Sequence, residues 1–135
     1  VHGESYYFCL RAINNENLAS ATTSGPVQVL FLPPPQPVVT SQYEKLKSTS
    51  GNLILDITIS RSVINEISRT EISVGSKPGH SDVMSWQAIA GAETGTFRKS
   101  TSITLAVGKT YYISARTVNN AGLMSNIFKT SLYVP

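Results

Sequence analysis

The sequence predicts an all-β protein, built as an antiparallel sandwich of about seven short strands. Three observations support this fold class. Short runs alternate apolar and polar residues, turn sequences rich in Gly, Pro and Asn separate these runs, and no ten-residue stretch shows the 3.6-residue period of a helix. The 135 residues suffice for one such domain and part of another.

An 18-residue stretch occurs twice without gaps, first at Gly3–Ser20 and again at Gly108–Ser125. Eight of its 18 positions are identical, and the offset of 105 residues is about the length of one β-sandwich domain. The phase continues beyond the repeat, because Val27 and Val29 fall opposite Leu132 and Val134. This spacing indicates tandem domains, and it predicts that Val1 is an internal residue of a longer polypeptide.

Residues 1–32 are predicted to be the last two strands, F and G, of a preceding repeat. Residues 5–13 alternate apolar and polar side chains, Asn14–Asn17 forms a turn, and 26–31 is the second strand. A lone hairpin is marginally stable in water. Its apolar face therefore needs strands from another chain or from elsewhere in the same polypeptide.

Residues 33–37 are predicted to be a stiff interdomain linker. Pro33, Pro34, Pro35 and Pro37 favour an extended backbone, which would fix the spacing between repeats. A polyproline ligand for a partner domain is the alternative, but the run is short for that purpose.

Residues 38–135 are predicted to form a complete domain, in which turns at 75–79, 91–95 and 119–122 separate strands. The seven predicted strands cover residues 38–40, 53–59, 67–74, 83–89, 100–105, 111–118 and 127–134.

Two segments resemble the fibronectin type III family. Gly108–Ser125 resembles its F strand and F–G turn, which read Gly-x-Thr-Tyr, alternating apolar residues, Ala, Val-Asn, then Gly and Ser. Ile72–Trp86 is similar to a variant in which a Gly-x-x-Pro-Gly turn is followed by Asp and Trp. That variant occurs in tandem repeats of extracellular and cell-surface proteins. The resemblance therefore implies an immunoglobulin-like sandwich and an extracellular or cell-surface location.

The resemblance also assigns structural roles. It implies that Tyr111 is the corner tyrosine at the start of strand F, that Tyr6 has this role in the first copy, and that Gly122 lies in the F–G turn. The family usually has a core Trp on strand B, but this chain has none in 53–59. Trp86 follows strand C instead, where it either covers an open sheet edge or is an exposed binding aromatic.

Composition argues against several classes of protein. Charged residues make up only 14%, the net charge is +3, and the Lys and Arg residues are scattered, so no nucleic-acid partner is expected. No apolar run approaches the roughly 20 residues of a membrane helix, so no membrane insertion is expected. Cys9 is the single cysteine, which precludes an internal disulfide.

The sequence predicts no enzyme, cofactor or metal. The candidate residues for chemistry do not fall at the spacing of a nucleophile site, an acid–base pair or a metal set. These candidates are His2, His80, Asp82, Glu71, Glu93 and Cys9.

The predicted function is a non-catalytic spacer in a long extracellular tandem-repeat protein, contributing to a fibre or adhesive array. Its partners would be adjacent repeats or other copies. The alternative is a glycan- or protein-binding module, including one accessory to a secreted enzyme, that uses Trp86, Tyr7 and Tyr112. The predicted interaction surface comprises Phe8, Leu10, Tyr112 and Arg116.

Overall fold

A computed structural model describes residues 1–23, 25–47 and 50–135. The chain divides into two compact units, Val1–Leu32 and Pro33–Pro135. Both are all-β and antiparallel. The Pro-rich segment belongs to the second unit. Within this segment Pro34 and Pro37 are buried, and the Pro35 carbonyl accepts a hydrogen bond of 2.8 Å from the Thr117 hydroxyl.

The first unit contains four short strands, β1 (Ser5–Tyr6), β2 (Cys9–Ile13), β3 (Ala19–Thr23) and β4 (Val27–Gln28). Strand β1 pairs with β4, and β2 pairs with β3. The prediction of one simple hairpin between 5–13 and 26–31 was therefore wrong in detail. The first strand is interrupted at Tyr7 and Phe8, and β3 was missed. Strand β3 (Ala-Ser-Ala-Thr-Thr) has no large apolar side chain, so it produces no apolar alternation.

The second unit contains seven strands in two sheets. They are β5 (Val38–Lys47), β6 (Ser50–Ile59), β7 (Ile67–Gly75), β8 (Met84–Ala90), β9 (Gly95–Ser102), β10 (Thr110–Asn119) and β11 (Phe128–Tyr133). The sheet orders are β5-β6-β9 and β11-β10-β7-β8. Within the described residues, the helical element is a single 3₁₀ turn at Arg61–Val63.

The core of the second unit lies between these sheets, and the architecture is sandwich-like. Every second side chain of β6 points inward, and facing side chains of β7, β10 and β11 complete one apolar cluster. Contacts between β5 and β11, and between β8 and β9, link the two sheets. The cluster contains Val39, Leu53, Leu55, Ile57, Ile59, Ile67, Ile72, Val74, Leu105, Tyr111, Ile113, Ala115, Leu132 and Val134.

Two strands differ from the sequence prediction. Strand β9 was expected at 100–105 but runs from Gly95 to Ser102. Ile103 and Leu105 still pack against the core, but the Tyr43 hydroxyl donates to the Ile103 carbonyl and accepts from the Leu105 amide. The Ile103 amide still donates to the Gly51 carbonyl of β6 at 3.0 Å, so the bonds to Tyr43 follow the last backbone bond between these strands. Strand β5 was expected to end at Thr40, but its pairing with β6 continues to Lys47.

Candidate functional site

The sequence repeat is also a repeat of backbone geometry. In the first copy the Asn14 amide donates to the Leu18 carbonyl at 3.0 Å, and in the second the Asn119 amide donates to the Leu123 carbonyl at 3.0 Å. The side-chain oxygens of both Asn residues also accept from the amides two and four residues later, at 2.9–3.0 Å. Each Asn therefore organises its own turn, which explains why this residue recurs.

The left-handed backbone positions repeat as well. Asn17 and Gly122 occupy the same turn position with φ of 63° and 83°. Gly122, predicted to be structural, holds a conformation that few residues other than Gly and Asn adopt readily. Gly3 and Gly108 also match, with φ of 81° and 78°.

Both copies contain a tyrosine clasp, defined as a hydrogen bond from a backbone nitrogen to the hydroxyl of the tyrosine five residues later. The Ala106 amide donates to Tyr111 at 2.9 Å, and the terminal ammonium group of Val1 donates to Tyr6 at 3.1 Å. The Tyr6 hydroxyl donates in turn to the Glu4 carboxylate, and this bond raises the pKa of Tyr6. The geometry is shared, but Tyr111 is 9% exposed and Tyr6 is 41% exposed.

The two copies differ sharply in burial. Phe8 and Leu10 are 63% and 71% exposed, whereas Ile113 and Ala115, at the matching positions, are 1% and 0% exposed. Both residues of the predicted interaction surface in the first unit are therefore accessible. Tyr7, the other aromatic residue considered there, is also exposed.

The second cluster of interest lies on the outer face of the sheet β11-β10-β7-β8. The Arg116 guanidinium lies 4.0 Å from the centre of the Trp86 ring. Arg116 and Glu71 are cross-strand partners, and their side chains form an ion pair at 2.7 Å. Arg69 reaches the other Glu71 oxygen at 2.8 Å. Trp86, Arg116, Glu71 and Arg69 form what we call the outer-face cluster.

Only part of the outer-face cluster was foreseen from the sequence. The sequence predicts roles for Trp86 and Arg116, offers Glu71 only as a candidate for catalysis, and gives no role to Arg69. The alternation of inward and outward side chains along β7 could have identified Glu71 and Arg69. The neighbouring Ile72 points into the core, which places Glu71 on the outer face. Trp86 is half-buried and stacked on Arg116, which fits neither a plain edge cover nor a freely exposed aromatic.

Tyr112 lies on the same outer face and is half-buried. Its cross-strand neighbour on β7 is Gly75, so no side chain lies beside the Tyr112 ring on the β7 side. Beyond it, Ser114 and Ser73 face each other across the strands and are 2% and 1% exposed. Because serine side chains are short, larger neighbours must cover this part of the face.

Burial raises the pKa of the Glu71 carboxyl, but hydrogen bonds from Arg69 and Arg116 outweigh burial and lower it. A carboxyl with a lowered pKa stabilises the fold above its unfolded-state pKa, and this contribution is lost as pH falls through the folded-state pKa. The ordinary pKa of a Glu carboxyl is 4.5. We therefore expect protonation of Glu71 to favour the unfolded state once the pH falls below this value.

Glu71→Gln tests this expectation. The variant should lose about 1–2 kcal/mol of unfolding free energy at pH 7, because hydrogen bonds to charged groups contribute at this level. The loss should shrink as the pH falls below the Glu71 titration. Urea unfolding at several pH values measures it, with Asp56→Asn at the exposed Arg98 pair as the control, where little change is expected. A pH-independent difference would contradict the assignment.

Several of the residues considered for catalysis, among them Asp82, Glu93 and His2, are engaged in other contacts. The Asp82 carboxylate accepts from the Ser76 hydroxyl at 2.6 Å and from the Ser76 amide at 2.9 Å, and these bonds lower its pKa. Glu93 pairs with Lys99 at 2.8 Å. The Nδ1 atom of His2 accepts from the Phe31 and Leu32 amides.

The remaining observations concern metals and membranes. Cys9 is exposed. In the part of the chain that the structure describes, no three His, Cys, Asp or Glu residues converge as metal ligands. The same ranges contain no helix of the length and apolarity required to span a bilayer.

No protein-family model matches the chain, and no curated protein matches it. Among solved structures, the chain is similar to the pectate lyase PelI from Erwinia chrysanthemi, crystallised with tetragalacturonic acid, at 21% identity and a TM-score of 0.40. That match covers 70% of this chain and 28% of the lyase chain.

Proposed function

We propose that the chain is a non-catalytic structural module of a tandem-repeat protein, with repeats of the fibronectin type III kind located outside the cell or on its surface. The strand orders β5-β6-β9 and β11-β10-β7-β8 support this. Lettered in chain order, the seven strands β5 to β11 are A, B, C, C′, E, F and G, with no D strand. The two sheet orders are then A-B-E and G-F-C-C′.

One observation carries the proposal: the two copies share the hydrogen bonds of their Asn turns and their left-handed positions at a constant offset of 105 residues. Asn17 replaces Gly122 without changing the turn, and the tyrosine clasp recurs although the two tyrosines differ in burial. Such agreement is expected when one chain carries successive copies of one domain. Successive copies separated by a short Pro-rich segment are suited to holding other parts of a polypeptide at fixed spacing.

The outer-face cluster bears on the alternative, a glycan-binding module. A sugar ring would stack on a flat aromatic face, but the Arg116 guanidinium already occupies one face of Trp86. Glu71 neutralises Arg116 and holds it in place. These contacts favour a structural role for Trp86, as the covering of the outer sheet face.

A ligand titration tests the proposal. Trp86 is the single tryptophan, so its fluorescence reports directly on the outer face. We expect no saturable change on adding neutral or acidic oligosaccharides. A saturable change that is lost in Tyr112→Ala, while Tyr133→Ala on the edge strand β11 retains it, would replace the spacer proposal with the binding-module alternative.

A further inference from the structure

The last residues of the first unit are held by a histidine side chain. The Nδ1 atom of His2 accepts hydrogen bonds from two consecutive backbone amides, those of Phe31 and Leu32, each at 3.1 Å. The His2 and Phe31 rings are also in edge contact, with centres 5.2 Å apart and planes at 88°. Strand β4 ends at Gln28, so these contacts fasten a segment that lies beyond the sheet. We call this arrangement the histidine latch.

The latch extends a pair of backbone bonds that both copies of the repeat contain. In the first copy the Gly3 amide donates to the Val29 carbonyl at 2.6 Å, and the Val29 amide donates to the Glu4 carbonyl at 2.8 Å. The corresponding bonds of the second copy, 105 residues later, measure 2.7 and 2.9 Å. His2 comes directly before this pair, and Val107 holds its position in the second copy. A valine side chain has no acceptor, so Val107 cannot form such a latch.

The latch requires a neutral imidazole. A ring nitrogen that accepts a hydrogen bond carries no proton, so the neutral His2 ring holds its proton on Nε2. The imidazolium form has two donors and no acceptor. Because the Phe31 and Leu32 amides both point at Nδ1, a proton on that atom would place donors against donors. Histidine side chains change between these two forms at pH values from about 5 to 8.

Little else in the local geometry would hold the segment after protonation. The Phe31 and Leu32 side chains are 59% and 51% exposed, and a segment with few buried apolar contacts opens easily. The next three residues, 33–35, are all proline and have no backbone N–H to donate. The two amides bound by His2 are therefore the last backbone donors before the Pro-rich segment.

The other titratable groups around the latch lie on its own strand. The terminal ammonium group of Val1 donates to the Tyr6 hydroxyl, which donates in turn to the Glu4 carboxylate. The facing segment, residues 26–32, contains no titratable side chain. Because α-amino groups as a class also titrate near neutral pH, a test has to separate the ammonium group of Val1 from the imidazole of His2.

We propose that His2 is a proton-sensitive latch on the segment that leaves the first unit, closed when its imidazole is neutral and released when it is protonated. Release frees Phe31 and Leu32, while the backbone bonds between Gly3 and Val29 persist. One consequence rests on the proposed tandem arrangement: acidification loosens the connection that leads from the first unit into the Pro-rich segment. Because Val107 replaces His2 in the second copy, this response belongs to the first copy.

Nuclear magnetic resonance of the full 135-residue chain tests the latch. We expect the Phe31 and Leu32 amide resonances to shift between pH 8 and pH 5 with the same midpoint as the His2 ring resonances. Protection of these amides from hydrogen exchange, corrected for the intrinsic pH dependence of exchange, should fall about two- to tenfold, which corresponds to the net strength of one hydrogen bond. Protection of the Val29 amide, which donates to Glu4, should remain.

Substitutions at His2 provide matched variants. His2→Asn places an uncharged amide oxygen close to the position of Nδ1, so both amides should stay protected and lose their pH dependence. His2→Val, which copies the second repeat, should remove the protection at every pH. Two controls should leave the pH response of the wild type unchanged: His80→Gln, at the other, exposed histidine, and acetylation of the Val1 amino group.

Three results would overturn the proposal. Phe31 and Leu32 amide shifts that do not follow the His2 titration would show that the imidazole does not hold them. An equal pH response in His2→Asn would show the same. Unprotected Phe31 and Leu32 amides at pH 8 would show that the latch does not form. Each of these results leaves the spacer proposal standing, whereas a saturable ligand response at Trp86 would end the spacer proposal and leave the latch unaffected.

Discussion

Ile113→Ala is expected to lower the free energy of unfolding of the second unit by about 2–5 kcal/mol. The side chain is 1% exposed and lies in the core cluster between the sheets, so its removal leaves a cavity that rigid strands cannot close. Phe8→Ala, at the same repeat position, should change stability little because Phe8 is 63% exposed. The loss of unfolding free energy should therefore be much larger for Ile113→Ala than for Phe8→Ala, although both residues occupy the same repeat position.

Urea unfolding followed by circular dichroism, which reports on the strands of both units, measures both variants, and Trp86 fluorescence isolates the second unit, which contains the single tryptophan. Ile113→Val is the matched control, expected to cost about 0.5–1.5 kcal/mol. Equal losses for Ile113→Ala and Phe8→Ala would show that the Phe8 side chain is packed in solution, contrary to its exposure in the structure.

Gly75→Ala is expected to destabilise the second unit by about 1–3 kcal/mol. A β-carbon at Gly75 would collide with the backbone carbonyl of His80, so the turn between β7 and β8 would have to move. That turn also carries the bonds between Ser76 and Asp82, and its displacement would disturb the pairing that places Trp86 over Arg116.

Gly91→Ala is the control, because no atom lies within 4 Å of its β-carbon position. It should leave the urea midpoint nearly unchanged, while Gly75→Ala lowers it. A Gly75→Ala variant as stable as Gly91→Ala would mean that the turn yields without cost and that the glycine is not required for close approach.

Alternation of buried side chains explains which strands the sequence could predict. Strand β6 alternates buried and less buried residues from Gly51 to Ile59, and β10 begins in the same way at Tyr111. Their core positions were therefore evident from the residues alone. Strand β3 was not predicted because Ala19–Thr23 has no apolar side chain large enough to mark a face. Its pairing with β2 follows from the tight turn organised by Asn14.

The sites were less predictable because they depend on long-range register. Ile103 and Leu105 alternate like a strand, but the hydroxyl of Tyr43, 60 residues from Ile103, bonds the Ile103 carbonyl and the Leu105 amide. The contact between Trp86 and Arg116 requires the registers of both β8 and β10 on β7, and the pairing of β8 with β7 contains two irregularities. Residue type indicated that both side chains could matter, but only the pairing shows that they touch.

The hydrogen bond from Thr117 to Pro35 has a mechanical consequence. Thr117 belongs to β10, which is hydrogen-bonded to β7 on one side and β11 on the other, whereas β5, the first strand after the Pro-rich segment, is an edge strand. Tension applied to the chain ahead of Pro33 would therefore reach a central strand before it could peel β5 from its sheet. Matching Thr117 in the first copy is Ala12, which has no hydroxyl, so the two repeats would not bear tension by the same route.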